Sequence, residues 1–357
     1  MSLTRGPAGV SITVEGTETW GLRTPGPGLV LDVPVGGRQA RRPALRLEAA
    51  SRYRLRLMSG DAPLLWVRID DWWDRAVFLR GTAPSPWRLP SLSAPEVRAV
   101  SHAPGSAPWW EAWEWKLARE LVEAPASVLY SGQWCLRPVG VLSADTAERH
   151  PVSPMEWQFG QPPQAPHSLD AVTRFGPAWN EDWWDTLPAQ RPGAVLPLRA
   201  PSAPDDGRVK SWRKRARDGT LPPALLLYVD ILAKWLVLDG HDRLHAALLE
   251  GVEPPLLGLW PSVLMAGTPS SSVREAGALF SAEFQLRTGA TPQVVERVNR
   301  MLLLNFAQPL KGTVSRAWPI PGGLAAWRQE VLLARRQRER LPLTDEDWDW
   351  LVSPDTR

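Results

Sequence analysis

An abrupt change of pattern at residue 239 restricts the fold of this chain more than any other feature of its sequence. The apolar run WLVLD, residues 235–239, ends at Gly240, and the helical pattern HDRLHAALLEG follows immediately. A buried strand that leads directly into an amphipathic helix is typical of a βα unit. We therefore expect a strand–turn–helix junction, with Gly251 ending the helix.

The elements around this junction form a small α/β pattern. GAVLPLRA is predicted to be a strand and DDGRVKSWRKRARDG a helix with an acidic start and a glycine stop. ALLLYVDI and KWLVLDG are predicted strands joined by a tight turn, and PPLLGLW is a further strand after the second helix. The order β-α-β-β-α-β predicts a small α/β domain at residues 193–262.

The rest of the chain predicts a multidomain α+β protein. VSITVEG, RYRLRLMSG and LLWVRID alternate apolar and polar residues, which predicts an antiparallel, sandwich-like or barrel-like domain at residues 1–90. Residues 91–192 are rich in Trp and Pro and are predicted to be irregular, with one helix in WWEAWEWKLARELVEA and a long loop over 82–108. Within this region SVLYSGQW and VGVL are candidates for short strands. Residues 263–357 are predicted to be helical, with helices in TPQVVERVNRMLLLNF and GLAAWRQEVLLARRQRER.

Composition excludes several classes of protein. Cys135 is the only cysteine, so an internal disulfide and a multi-cysteine zinc site are both excluded. The net charge of +3 is small for 357 residues and does not indicate a histone-like polyanion binder. The chain shows neither a signal-peptide pattern nor an uninterrupted apolar span, so we expect a soluble cytoplasmic protein with no membrane partner.

The residue types at the junction favour phosphate chemistry. The first N–H groups of a helix have no intrahelical partner and attract anions. Gly240 allows the backbone to approach such an anion closely, and Arg243 can donate two charge-assisted hydrogen bonds to it. Asp239 cannot bind a bare phosphate, but it can hold Mg²⁺, accept a proton from a hydroxyl, or brace Arg243.

At this point the sequence resembles a known family. GTLPP, then the turn DGHDR, then AALLEG resemble, in order and spacing, the ParB/sulfiredoxin-like superfamily over residues 193–262. The turn is nearest in form to that of the kinases of free serine. The resemblance implies that Gly240, His241 and Arg243 contact nucleotide phosphates. It also implies that Asp239 is a catalytic or Mg²⁺-organising acid.

The sequence departs from that pattern at identifiable positions. Asp242 stands where the serine kinases have a second histidine, which puts a negative charge beside the proposed phosphate. A second catalytic acid is expected from the preceding helix region, where Asp205 and Asp206 are the local candidates and Asp206 is our choice. Sulfiredoxin chemistry needs a cysteine where this chain has His241. His241 and His245 have the spacing of a metal pair, but no third ligand has comparable support, so we interpret them as a phosphate contact and a packed imidazole.

Three functions stay open on this basis. The first is a nucleotide-binding protein that takes ATP, ADP or CTP with Mg²⁺ and acts as a phosphotransferase or NTPase. The second is a non-catalytic scaffold that binds a protein partner through its Trp-rich regions, which the 21 tryptophans make plausible. The third and weakest is DNA binding through the basic residues Arg213, Lys214 and Arg215.

Overall fold

The protein contains two mixed β-sheets and six α-helices within the residues that the structure, a computed structural model, describes. These residues are 4–5, 9–15, 28–35, 42–70, 75–82, 89–124, 127–141, 175–182, 194–264, 311–338 and 341–353, with nine further positions between 163 and 295. The helices are α1 (Ala94–Ala99), α2 (Ala107–Glu123), α3 (Gly207–Arg217), α4 (His241–Leu249), α5 (Gly323–Arg336) and α6 (Asp345–Val352). None of these helices combines the length and the apolar character that crossing a bilayer requires.

The first sheet combines strands from the N-terminal part of the chain with strands from its middle and the short strand β14 (Lys311–Gly312). Its strands are β1 (Thr4–Arg5), β2 (Ser11–Glu15), β3 (Gly28–Val33), β8 (Gly132–Val139), β10 (Val195–Pro197), β11 (Ala224–Val229), β12 (Lys234–Asp239), β13 (Leu256–Leu264) and β14 (Lys311–Gly312). Their order is β1-β2-β3-β8-β13-β11-β12-β10, with β14 paired to β13. Strands β10 and β12 are parallel, as are β11 and β13, whereas the other pairs are antiparallel.

The second sheet is mostly antiparallel. Its strands are β4 (Leu45–Ala50), β5 (Arg54–Ser59), β6 (Ala62–Ile69), β7 (Arg75–Arg80), β9 (Ala178–Asp182) and β15 (Ala317–Pro319). They are arranged in the order β15-β4-β5-β6-β7-β9, and only the β15/β4 pair is parallel.

Alternation along the strands buries both faces of each sheet. Leu225 and Leu227 of β11 enter a large core shared with the second sheet, whereas Leu226 enters a separate core on the opposite face. In the second sheet, Phe78 faces the shared core and Val77 faces a third core that α5 and α6 cover. Because side chains in a strand point alternately to the two faces, each strand contributes to two apolar layers.

Most predicted elements are present. The three alternating segments of the first ninety residues are strands β2, β5 and β6, and β5 and β6 pair antiparallel as predicted. The predicted β-α-β-β-α-β order at 193–262 is observed as β10, α3, β11, β12, α4 and β13. The predicted tight turn between β11 and β12 is one turn of 3₁₀ helix, Asp230–Leu232, followed by Ala233 with φ +48°.

Residues 91–192 differ from the prediction of an irregular region with a single helix. The loop predicted over 82–108 includes α1, whose start is fixed by a capping box between Ser93 and Glu96. Strand β8 lies in the middle of the first sheet, between β3 and β13, and β9 forms an edge of the second. The candidate strand SVLYSGQW includes the start of β8, whereas β9 is not predicted. The extent of both strands depends on partners distant in sequence, which local periodicity does not reveal.

The sheets also cross the predicted domain boundaries. Strands from residues 1–90 are divided between both sheets, and the first sheet continues into residues 193–262. The C-terminal region, predicted to be helical, contains the short strands β14 and β15 before α5 and α6. The helix predicted to begin at Thr291 lies almost entirely outside the described residues.

Helix α2 buries a carboxyl group against the first sheet. Glu114 is 2 % exposed, and its Oε1 has no hydrogen-bond partner among the described residues. Burial, opposed in part by the charge of Arg137, raises the pKa of Glu114 to about 8. The folded protein therefore keeps this carboxyl protonated at neutral pH.

We expect Glu114→Gln to remove a pH-dependent loss of stability. The usual pKa of 4.5 is raised to about 8 in the folded state, so between these values the unfolded chain releases a proton that the folded chain retains. The free energy of unfolding of the wild type therefore falls as pH rises through this window. The variant should be more stable than the wild type by roughly 2–4 kcal/mol at pH 8 and equal to it at pH 4, as measured by urea denaturation. The exposed Glu123→Gln is the control, and a stability difference independent of pH would contradict the prediction.

Candidate functional site

The junction at residue 239 has the predicted geometry. Strand β12 ends at Asp239, Gly240 has φ +96°, and α4 begins at His241. A Cβ at position 240 would lie 2.8 Å from the Cβ of Ala224 and 2.9 Å from Nη2 of Arg243. Glycine is therefore required here by the close approach of β11 and of the arginine side chain.

Arg243 braces this turn from inside the protein. Its Nη2 lies 2.7 Å from Oδ2 of Asp239 and donates to the carbonyl oxygen of Pro223 at 3.0 Å. The guanidinium is 5.7 Å from the ring of Trp212, and the residue is 1 % exposed. Its Nε has no partner among the described residues. Arg243, which the sequence predicts to contact phosphate, therefore forms an internal ion pair with Asp239.

His241 joins the start of α4 to the end of β10. Its Nε2 accepts hydrogen bonds from the backbone N–H groups of Leu198 at 3.1 Å and Arg199 at 3.3 Å. An imidazole that accepts at Nε2 is neutral and carries its proton on Nδ1. Burial, with the nearby charge of Arg199, lowers the pKa of His241 to about 3.

Asp242 and His245 hold the same segment, residues 198–202, against α4. Oδ1 of Asp242 accepts from the backbone N–H of Ser202 at 3.0 Å, and Oδ2 lies 3.0 Å from Nη2 of Arg199. Nε of Arg208 approaches the same Oδ2 at 3.7 Å. Nδ1 of His245 lies 3.1 Å from the carbonyl oxygen of Ser202. The polar side chains of the first turns of α4 therefore fix the loop that connects β10 to α3.

A cavity of about 510 Å³ opens beside this loop. Asp239, His241 and Asp242 line it from the junction, and Asp206 lines it from the start of α3. Residues 64, 80–82, 89, 91 and 175 also line it. The cavity therefore lies where the β12–α4 junction meets the second sheet and the segment before α1.

Arg80, at the end of β7, is a buried cavity-lining residue that the sequence did not predict. It is 4 % exposed, and its Nε and Nη1 donate to the carbonyl oxygens of Gly176 at 2.9 Å and Pro197 at 2.7 Å. Its guanidinium carbon lies 4.0 Å from the ring centroid of Phe175. Within the described part of the chain it has no carboxylate partner. Burial lowers the pKa of Arg80 to about 9, so it remains a cation at neutral pH.

The structure therefore separates the predicted site residues into two groups. Asp206, Asp239 and His241 meet at the cavity, whereas Gly240 and Arg243 do not line it. No sequence signal marks Arg80, because RAVFLR is an ordinary buried strand and the neighbours of its last residue come from distant segments.

The basic residues predicted to contact DNA lie on α3, outside the cavity lining. Nε of Arg213 is 2.5 Å from Oε1 of Glu250, and Nη1 of Arg217 is 2.8 Å from the same oxygen. Lys214 is exposed and Arg215 half-buried. The Glu250 carboxylate therefore neutralises part of the positive charge of this face. Binding of DNA by the basic residues stays a prediction.

A protein-held metal ion does not fit the described residues. They contain no cluster of three or more His, Cys, Asp or Glu side chains able to hold one. Both imidazoles of the predicted pair are bonded to the 198–202 segment, and Oδ2 of Asp239 accepts from Arg243. A Mg²⁺ ion here would have to be held largely by the ligand.

Comparison with protein-family models, with curated proteins and with solved structures finds no match to this chain. The resemblance of residues 193–262 to the ParB/sulfiredoxin-like superfamily therefore rests on the quoted motifs and on the order of the elements.

We expect His241→Gln to flatten the acid side of the stability profile. The usual pKa of 6.5 is lowered to about 3 in the folded protein, so between these values the unfolded chain binds a proton that the folded chain does not. The wild type therefore loses stability as pH falls from 6.5, by up to about 1.4 kcal/mol per pH unit from this group. Glutamine offers an oxygen to the same N–H groups but does not titrate.

The measurement is urea denaturation of both proteins at pH 7, 6, 5 and 4. The stability of the variant should approach that of the wild type as pH falls. The same change at the exposed His102 should leave the profile as it is. Parallel profiles for His241→Gln and the wild type would show that the imidazole is not held neutral.

Proposed function

We propose that this chain binds a nucleotide in the cavity at the start of α4, with a phosphate group held by Arg80. The observation that carries the proposal is a buried cation that lines the cavity and has no carboxylate partner among the described residues. An unpaired buried charge destabilises a protein, and a bound anion would offset that cost. Its donors to backbone carbonyls and its contact with Phe175 hold the guanidinium in place for such an anion.

The shape and chemistry of the cavity support a ligand of this kind. Its volume of about 510 Å³ is within the range of small-molecule sites. Leu64, Leu89 and Leu238 contribute apolar lining that suits a base or sugar, whereas Arg80 and the first residues of α4 contribute polar groups. Helix α4 has no side-chain cap at Gly240, so its first N–H groups add a favourable partial charge.

Phosphoryl transfer or NTP hydrolysis is the reaction that the two predicted acids would serve. Asp206 and Asp239 line the same cavity as Arg80. Such reactions depend mainly on positioning and charge neutralisation. ATP, ADP and CTP are the proposed ligands, and Mg²⁺ would enter with their phosphates, with Asp239 as the predicted protein contact.

A second candidate, a non-catalytic scaffold, is favoured by the internal bonding of the turn. Arg243, His241 and Asp242 are each bonded to other parts of this chain. The DGHDR turn would then only stabilise the fold. Tryptophans do not add support for a protein partner, because those that the structure describes are buried or half-buried.

The test is calorimetric titration of the protein with AMP, ADP, ATP and CTP in the presence of Mg²⁺. We expect Arg80→Gln to weaken nucleotide binding by at least about tenfold, and Arg80→Lys to recover part of the affinity because it restores the charge. Arg336→Gln, an exposed arginine of α5, is the matched control and should bind as the wild type does.

Binding that Arg80→Gln leaves unchanged would remove Arg80 from the site. Absence of binding to every nucleotide would overturn the proposal and leave the scaffold as the better candidate. Arg243→Ala is unsuitable for this purpose, because it leaves Asp239 without its 2.7 Å partner and so perturbs the turn itself.

A further inference from the structure

The described lining of the cavity contains as many arginines as aspartates, but they do not form one pair each. Three arginines and three aspartates are found among its described lining residues: Arg80, Arg199, Arg208, Asp206, Asp239 and Asp242. Asp239 is paired with Arg243, which lies outside the lining, and Asp206 is exposed and caps α3. Arg199 and Arg208 both approach Asp242, at 3.0 and 3.7 Å. Arg80 alone among the three arginines has no carboxylate partner in the described chain.

Asp242 is built into the wall as a fixed negative charge. Its side chain is 4 % exposed, whereas those of Arg199 and Arg208 are 44 and 43 % exposed. Burial by itself would raise the pKa of Asp242, but hydrogen bonds from Arg199 and from the N–H of Ser202 lower it below its usual value. The carboxylate is therefore ionised at neutral pH. It pairs with Arg199 and Arg208, which line the cavity.

We infer that Asp242 determines the charge of the ligand that this cavity accepts, selecting a nucleotide with a single phosphate group over one with a phosphate chain. The inference rests on the proposed function, since it takes the ligand to be a nucleotide. Arg80 can neutralise much of one phosphate group, which carries about −1.5 to −2 charges at pH 7. Each further phosphate would add negative charge beside Asp242, and the described lining residues include no free arginine to pair with it. This inference narrows the proposed ligand to a nucleoside monophosphate. ATP, ADP and CTP, proposed above, would then bind less tightly, and reactions that begin from a triphosphate would be disfavoured.

Asp242→Asn isolates this effect from the structural role of the residue. The amide oxygen of asparagine can still accept the hydrogen bond from the N–H of Ser202, so the 198–202 segment keeps its anchor. The negative charge is removed, and the half-exposed Arg199 and Arg208 become available to a phosphate chain. Asp218→Asn, the same chemical change at an exposed position outside the cavity lining, is the matched control.

The experiment measures binding of AMP and ATP by calorimetry in EDTA, so that Mg²⁺ does not offset the charge of the chain. Wild-type protein should bind AMP more tightly than ATP. In Asp242→Asn the affinity for ATP should rise by at least about tenfold, with a change of less than about threefold for AMP. Adding Arg208→Gln to Asp242→Asn should cancel most of the gain for ATP. Thermal denaturation checks that each variant is folded.

The outcomes separate this inference from the proposed function. Tighter binding of ATP than AMP by the wild type, or an unchanged ratio in Asp242→Asn, overturns the inference and leaves nucleotide binding standing. Wild-type protein that binds neither nucleotide overturns the proposed function. In that case, gain of ATP binding by Asp242→Asn supports the charge role of Asp242, and absence of binding by both proteins overturns it as well.

Discussion

The need to pair buried cations is the constraint on which the rest of this structure depends. Lys234 of β12 and Glu181 of β9 are almost completely buried, with Nζ and Oε2 2.8 Å apart, and they connect the first sheet to the second. Within the second sheet, Arg46 and Arg56 both meet the fully buried Glu48. A buried ion pair contributes little net stability, but removing one partner destabilises the folded state strongly because the other charge stays buried and unpaired. Such pairs therefore favour the strand arrangement that brings the two charges together over arrangements that separate them.

Arg80 follows a different solution at the same boundary. It belongs to β7 of the second sheet, and its Nη1 donates to Pro197 at the end of β10 in the first. Carbonyl oxygens accept hydrogen bonds from its guanidinium and the ring of Phe175 lies against it, but none of these groups carries a negative charge. Under the proposed function, an anion bound in the adjoining cavity would offset this charge. Sites between packed layers are common for small ligands because two elements can supply different groups to one cavity.

The DGHDR turn stabilises the fold, and three of its residues also line the cavity. Gly240 is required by the approach of Ala224, and Arg243 is directed inward to Asp239. His241 accepts from the end of β10 while also lining the cavity. In this chain the turn leads a strand into a helix, and Arg80, the group proposed to hold phosphate, comes from another part of the chain.

By itself, the sequence determined the local elements and the turn between β12 and α4. These depend on apolar periodicity, caps and glycine, which act over a few residues, and so the β-α-β-β-α-β order and helices α2 and α5 were predictable. It also placed Asp206, Asp239 and His241 among the candidates. Only the tertiary structure decided that β3, β8 and β13 are neighbours, that Arg243 is internal, that Arg80 lines the cavity and that Asp242 holds two arginines. Pairing between these strands and the burial of these charges depend on residues from separate segments of the chain, and no local pattern records such contacts.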